Sequence, residues 1–362
     1  MGRSDDSADA LTTFQVLVFT KLEGAITAGM IHLGDRLGLY LAMKGAAAPV
    51  TSGELAGITG LAERWVREWA FNQAAAGILH VESDDVPERF SLTPEGAAVL
   101  ATPEHEAYGM GMFHQLPQTM ATLEELPESF RTGLGFDYDV GGPQGAIGVE
   151  RSFEPWNRNH LLPTVLPALD GVVEKLVAGA EAADLGCGAG GAVLLMAAAF
   201  PVSRFTGYDI SHHALARAEV RLAESGLTNA TFADPRRDPL PTDHSLDVVI
   251  TLDCIHDMTD PQAVMSSIRE AIADDGTWLL VDIKAQETFS ENVRTNPMAS
   301  LMYGISVMSC MSSALSEPGG AGLGTLGLPQ AKAEAMTRQA GFTRFRRVAI
   351  DHAVNNFYEV RP

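Results

Sequence analysis

The sequence predicts an α/β protein in two parts: a Rossmann-like, doubly wound parallel sheet from about residue 179 onward, preceded by a mainly helical winged-helix region. Three observations carry this. After residue 179, short apolar runs alternate with helical patterns, as in a parallel sheet covered by helices on both faces. A glycine-rich turn, "DLGCGAGG", follows the first of those runs. Between residues 51 and 93 the order is helix, turn, helix, hairpin.

The 362 residues, 46% of them apolar, suffice for two cores. Residues 9–43 place Leu11, Phe14, Val18, Leu22 and Ile26, then Ile31, Leu37 and Leu41, at roughly helical spacing. Thr51 and Glu54 fit a capping box that opens a short helix. Gly60 breaks it, and a second helix carries Trp65, Trp69 and Phe71. "ILHVE" and "RFSLT", joined by "SDDVPE", read as two strands and a polar turn. Residues 104–150 have no clear period, and "RTGLGFDYDVGGPQGAIG" reads as a loop. A helix resumes near residue 152, disturbed by Pro163 and Pro167. The strands "AADLG", "RFTGYDI", "ATFAD", "LDVVITLD" and "TWLLVDI" then alternate with helices, and "RFRRVAI" and "NNFYEVRP" close the chain. The expected division is 1–135 for a winged-helix dimerisation domain, 136–178 for a linker and a helix roofing the pocket, and 179–362 for a nucleotide-type binding domain.

A net charge of −21 disfavours a polyanionic partner. Residues 30–105 hold five basic side chains, Arg36, Lys44, Arg64, Arg67 and Arg89. The second helix of the winged helix adds Glu63 and Glu68, and the wing adds Asp84, Asp85 and Glu88. A wing that approaches phosphates should not be acidic. The module is therefore expected to bind a second copy of itself, giving a homodimer. The alternative is a winged-helix DNA-binding regulator with a nucleotide-sensing domain. "MGRSDDSADA" lacks the apolar stretch of a signal peptide, and no apolar run is expected to span a bilayer. The cysteines Cys187, Cys254 and Cys310 are odd in number and far apart, which fits a reducing compartment. The expectation is a cytoplasmic protein with no membrane or nucleic-acid partner and no metal site.

The turn contains Gly186, Gly188, Gly190 and Gly191, and so fits both Gly-x-Gly-x-Gly and Gly-x-Gly-x-x-Gly. Glycines let the backbone turn tightly and approach a ligand. Asp184, two residues before the first glycine, discriminates between ligands. Its carboxylate repels a pyrophosphate but suits the ammonium and sulfonium of S-adenosylmethionine. Asp209 ends the next strand, where an acid holds ribose hydroxyls in either case.

"DLGCGAG", "GYDIS", "ADPRRDPLP" and "LDVVITLDCIHDM" together resemble the class I S-adenosylmethionine-dependent methyltransferases over residues 150–362. The resemblance implies a seven-stranded sheet with its final strand antiparallel. It implies that Asp184, Gly186, Cys187, Gly188 and Gly190 line the methionine end. By the same resemblance, Asp209 would hold the ribose and Ile210 would pack on adenine. Asp234 would accept from the adenine amino group beside Phe232 and Ala233, and Asp253 and Cys254 would close the far side. With the winged helix, the whole chain is similar to small-molecule O-methyltransferases whose post-strand motif is His-Asp-Trp-x-Asp, the histidine acting as base. Here it reads His256-Asp257-Met258-Thr259-Asp260, with methionine in the tryptophan position.

An acceptor hydroxyl must lose a proton, and a histidine suits that task at neutral pH. Asp257 is adjacent in sequence, and Glu287 in the following loop is an equal candidate to orient the ring. The competing reading of His256 is a helix cap. His212 and His213 read as surface or cap residues. On the acceptor side, Met302, Tyr303 and Met308 suggest an adaptable apolar wall, with Trp156 and His160 as a roof. The glycines from Gly319 to Gly327 suggest a lid. The expected reaction is methylation of a small hydrophobic or aromatic molecule, most readily on oxygen, with S-adenosyl-L-homocysteine as co-product.

Overall fold

The computed structural model describes residues 3–83 and 86–362, so the wing-tip acids Asp84 and Asp85 lie outside the described residues. The chain divides into two compact units, one ending at Pro117 and the other spanning Gln118–Pro362. Residues 118–135, expected in the helical domain, group instead with the second unit.

In the first unit, Thr51 caps the helix Ser52–Thr59. Its hydroxyl accepts from the Glu54 N–H at 3.1 Å, and Glu54 accepts from the Thr51 N–H at 2.8 Å. The helix Glu63–Ala75 and the antiparallel pair β1 (His80–Ser83) and β2 (Arg89–Ser91) complete the winged helix. Leu39, Tyr40, Leu55, Val66, Trp69 and Phe90 form its core. The Trp69 indole donates to the Met30 carbonyl at 2.9 Å, satisfying its one polar atom. Arg64 and Arg67 pair along their own helix with Glu68 and Glu63, both at 2.5 Å, and Arg89 pairs with Glu54 at 3.0 Å.

Ahead of this module, the helix Arg3–Arg36 leaves Leu11, Phe14, Leu17, Phe19, Leu22 and Ile26 exposed by 49–70%. By length and composition alone, Asp9–Arg36 is long and apolar enough to cross a membrane, which corrects the expectation that no run reaches that length. The charged Lys21 and Glu23 interrupt the run in sequence but are too few to lower its average below that of a span.

The second unit is built on seven strands: β3 (Glu181–Leu185), β4 (Arg204–Tyr208), β5 (Ala230–Ala233), β6 (Leu246–Leu252), β7 (Ile272–Ile283), β8 (Arg344–Arg347) and β9 (Asn355–Arg361). Their order is β5-β4-β3-β6-β7-β9-β8. The first five are parallel, and β9 runs antiparallel to both β7 and β8. Strand β7 starts at Ile272, five residues ahead of the predicted "TWLLVDI", because Ile272 pairs with Leu246 before a register shift. Along β6 and β7, Val248, Ile250, Leu279 and Val281 enter one core, and Val249, Trp278 and Leu280 enter the other. That two-sided burial explains the unbroken apolar runs in the sequence.

The parallel strands β3, β4, β6 and β7 therefore deliver their carboxyl ends to one edge of the sheet. Each of these ends is marked by an acid: Asp184, Asp209, Asp253 and Asp282. Open α/β sheets bind ligands at that edge, where strand order reverses between β4-β3 and β6.

Candidate active site

A cavity of about 550 Å³ opens at this edge. Asp184, Gly186, Cys187 and Gly188 line it from the turn after β3, Asp209 and Ile210 from β4, and Asp253, Cys254 and Asp257 from β6. The turn is held by backbone bonds: Gly186 and Cys187 donate to the Tyr208 carbonyl at 2.8 and 3.0 Å. At Gly186, φ is +73° and a side chain would strike Cys254 at 2.6 Å, so only glycine fits. Gly190, with φ +75°, does not face the cavity. It lets the Phe232 ring pack at 2.4 Å from where a Cβ would stand.

Asp209 is held by backbone donors, whereas Asp184 is not. Asp209 accepts from the Gly188 N–H at 2.7 Å and from the Ser211 N–H at 2.8 Å. Asp184 is 2% exposed, and its Oδ1 has no hydrogen-bond partner. Burial, with Asp209 nearby, pushes Asp184 well above the usual carboxylate range. Burial likewise raises Asp209, against the pull of its backbone donors. Asp253 sits at φ +52°, a conformation unusual for a non-glycine residue, with Asn355 donating to its side chain. Burial pushes Asp253 and Asp257 each up to about 7, with Asp282 adding to both and His256 opposing. A cation placed among these crowded acids would favour their ionised forms and pull their pKa values back down. Among the described residues the lining includes no lysine, and its two arginines are already engaged. Arg221 bonds Glu154 at 2.9 Å and the Ala189 carbonyl at 3.0 Å. Arg236 bonds Asp234 at 2.9 Å and the Ile210 carbonyl at 2.7 Å.

His256 lies in the short turn Ile255–Asp257 after β6 and is 2% exposed. Its Nδ1 is 2.7 Å from Oδ1 of Asp282, which is 1% exposed. Burial alone would lower the imidazole, but Asp282, aided by Cys310, reverses this and holds it well above the usual histidine range. The orienting acid is thus Asp282, and not Glu287. Glu287 is turned away to accept from the Ala331 N–H at 3.1 Å, at the start of the helix Gln330–Gln339. His256 does not itself line the cavity; its neighbour Asp257 does.

Several expected contacts are absent from the cavity. Phe232 and Ala233 are packed into the two cores flanking the sheet, and Asp234 is chelated by Arg236 while Pro235 and Arg236 project instead. Trp156 stacks on Phe357, with rings 6.1 Å apart and 8° from parallel, and His160 faces His352. This aromatic packing takes both away from the cavity. The Tyr303 hydroxyl meets the Asn292 amide, the Met302 sulfur meets the Asn296 amide, and Met308 lines a separate open, apolar hollow with Leu126, Phe130 and Val307. The glycine-rich loop is tied to the histidine turn: Gly324 donates to the His256 carbonyl at 3.1 Å.

Other lining residues come from segments without periodicity. Tyr138 enters from the turn Tyr138–Gly141. Burial pushes its phenol well above the usual range, with Asp257 and Asp209 adding to the effect. Next to it, Asp139 accepts from the Ser211 hydroxyl and from the His212 N–H at 3.0 Å, tying this turn to the helix His212–Ser225. Asp282 carried the same signal as Asp184 and Asp253, an acid closing an apolar strand. Tyr138 carried none.

Comparison with known proteins agrees with this architecture. Residues 176–341 match a family model described as a methyltransferase domain, and residues 25–102 match one described as an Rv2258c-like winged HTH domain. The crystal structure of human N-acetylserotonin methyltransferase, in complex with S-adenosylmethionine, superposes with a TM-score of 0.70 at 17% identity, covering 100% of this chain and 99% of that one. A putative O-methyltransferase from Nostoc punctiforme gives 0.71 at 16% identity, covering 96% and 99%. A stretch of 105 residues is 33% identical to the polyketide synthase ThaQ of Burkholderia thailandensis. It spans 28% of this chain and 5% of that protein.

Proposed function

We propose that this chain, which belongs to the class I S-adenosylmethionine-dependent methyltransferases with an N-terminal winged helix, methylates a small hydrophobic or aromatic molecule on oxygen. The observation that carries the proposal is the convergence of Asp184, Asp209, Asp253 and Asp257 on one cavity beside the glycine turn. A dinucleotide would bring phosphate against these acids, whereas the methyl donor brings an ammonium and a sulfonium. Bound there, S-adenosylmethionine supplies an activated methyl group. Asp184 would face its cationic methionine end, and Asp209 would receive its ribose hydroxyls. The residues then need only hold donor and acceptor in line, which is worth on the order of several kcal/mol of barrier.

His256 accepts the acceptor's proton. Asp282 fixes the ring through Nδ1, leaving Nε2 as the basic nitrogen, and stabilises the imidazolium that forms. The same carboxylate, aided by Cys310, raises the ring above the usual histidine range. A cationic donor bound in the adjoining cavity would oppose that charge and lower the ring toward a working base. The protein is read as cytoplasmic and homodimeric. A second copy of the chain covers the exposed apolar positions of Arg3–Arg36, from Leu11 to Ile26.

Calorimetry with S-adenosylmethionine and with NAD tests the cofactor reading. Wild type should bind the first and not the second, and Asp209→Ala should lose about 100-fold in affinity, the cost of a charge-assisted pair of hydrogen bonds. Equal affinity of wild type and variant would remove Asp209 from the site.

A further inference from the structure

Beside the cavity, a ring nitrogen of His256, a carboxylate oxygen of Asp257 and Sγ of Cys310 all lie within 4.8 Å of one another. We propose that these three side chains form a binding site for a thiophilic divalent cation of the zinc class, and that its occupancy silences His256 as a base. The silencing rests on the methyl-transfer reading above; the binding does not.

The donor set is a sulfur, an imidazole nitrogen and a carboxylate oxygen, the three ligand types zinc takes. A thiolate and an imidazole select against magnesium and calcium, which prefer oxygen. His256 carries the support that metal-bound histidines usually have. Its Nδ1 is committed to Asp282 at 2.7 Å, which leaves Nε2 as the nitrogen that can hold either a proton or a metal. The ligands are held by separate segments: His256 and Asp257 by the turn after β6, and Cys310 by the start of the helix Cys310–Ala314. Gly324 anchors the turn through the His256 carbonyl. The other two cysteines are turned to backbone carbonyls, Cys254 to Leu185 at 3.1 Å and Cys187 to Gly188 at 3.6 Å.

Charge also balances. On binding, the Cys310 thiol, the imidazolium of His256 and any protonated Asp257 lose their protons to solvent as the sulfur–metal, nitrogen–metal and oxygen–metal bonds form. The thiolate and the Asp257 carboxylate together then neutralise a dication. Asp257 lines the cavity, so a fourth position remains open to water or to an acceptor atom. Because the metal takes the nitrogen that would take the proton, binding and base catalysis exclude each other.

The test uses full-length protein and Co²⁺ as the spectroscopic probe, without any acceptor. Wild type should develop a thiolate-to-cobalt charge-transfer band in the near-ultraviolet, together with visible bands of tetrahedral cobalt. Zn²⁺ should displace both. Cys310→Ser should lose the charge-transfer band, and Cys254→Ser should keep it. Asp282→Asn should weaken Zn²⁺ binding by about 10- to 100-fold, as for other supporting carboxylates. X-ray absorption on Zn²⁺-loaded wild type needs no variant and should report one sulfur in the first shell. Wild type without a charge-transfer band, a first shell of oxygen and nitrogen alone, or a band that survives Cys310→Ser would each overturn the site. None of these readouts depends on turnover, so they stand or fall separately from methyl transfer.

Discussion

At the glycine-turn end of the cavity, carboxylates are positioned by backbone. Asp184 closes β3, and Asp209 is clasped by the N–H groups of Gly188 and Ser211. At the histidine end, side chains hold side chains: Asp282 holds His256, Asn355 holds Asp253, Tyr138 arrives from a distant segment, and Cys310 lies beside His256. On the proposed reading, the first end is a receptor for a cation. The second is a set of titrating groups whose charges depend on one another. Substitutions should therefore act on binding at the first end and on pH behaviour and turnover at the second.

The largest effect that separates the ends is His256→Ala. It should not weaken S-adenosylmethionine binding, and should lower turnover with the true acceptor by about 10²- to 10⁴-fold, the usual worth of a general base. Asp282→Asn should cost less and move the acidic limb of the pH–rate profile downward, because the carboxylate that raises the imidazole is gone. An unmoved limb would mean that another group titrates there. Unchanged turnover in His256→Ala would end the base assignment.

Next in size is a pH effect on stability. Asp253 and Asp257 rise from an ordinary 3.8 to about 7 in the folded protein. Between those values the folded chain binds protons that the unfolded chain does not, so stability falls as pH rises from about 4 to about 7. The raised His256 acts later, its contribution being lost as pH rises through its elevated folded value. Thermal melts of unliganded protein should show a Tm that declines across the lower window, with a shallower decline in Asp257→Asn. Parallel slopes would show that Asp257 titrates as an ordinary carboxylate.

The same contrast governs what could be read from sequence. The strands, the glycine turn and the capping box at Thr51 were legible because each rests on local rules: two-sided burial, positive φ, and a side chain reaching three residues ahead. Asp184, Asp209, Asp253 and Asp257 were legible for the same reason, as acids at strand ends or just beyond. Contacts made by tertiary packing were not. Nothing local says that Asp282, at the end of β7, rather than Glu287, four residues past it, meets His256. Met302 and Tyr303 had the composition of a pocket wall, yet their polar atoms are taken by neighbouring asparagines. The apolar face of Arg3–Arg36 had helical spacing, but spacing alone does not say whether the face is buried.

The smallest effect tests where the fixed end stops. Arg236 chelates Asp234 at 2.9 Å, although the family resemblance gives Asp234 to the adenine amino group. The arginine is 58% exposed, and exposed pairs are worth roughly 0–1 kcal/mol, so a ligand can displace it at little cost. If adenine uses Asp234, Arg236→Ala removes that competition and should tighten S-adenosylmethionine binding by about threefold, within what such a pair is worth. Adding Asp234→Ala should cancel the gain. A loss of affinity in Arg236→Ala would instead put the arginine on the ligand and leave Asp234 as its support.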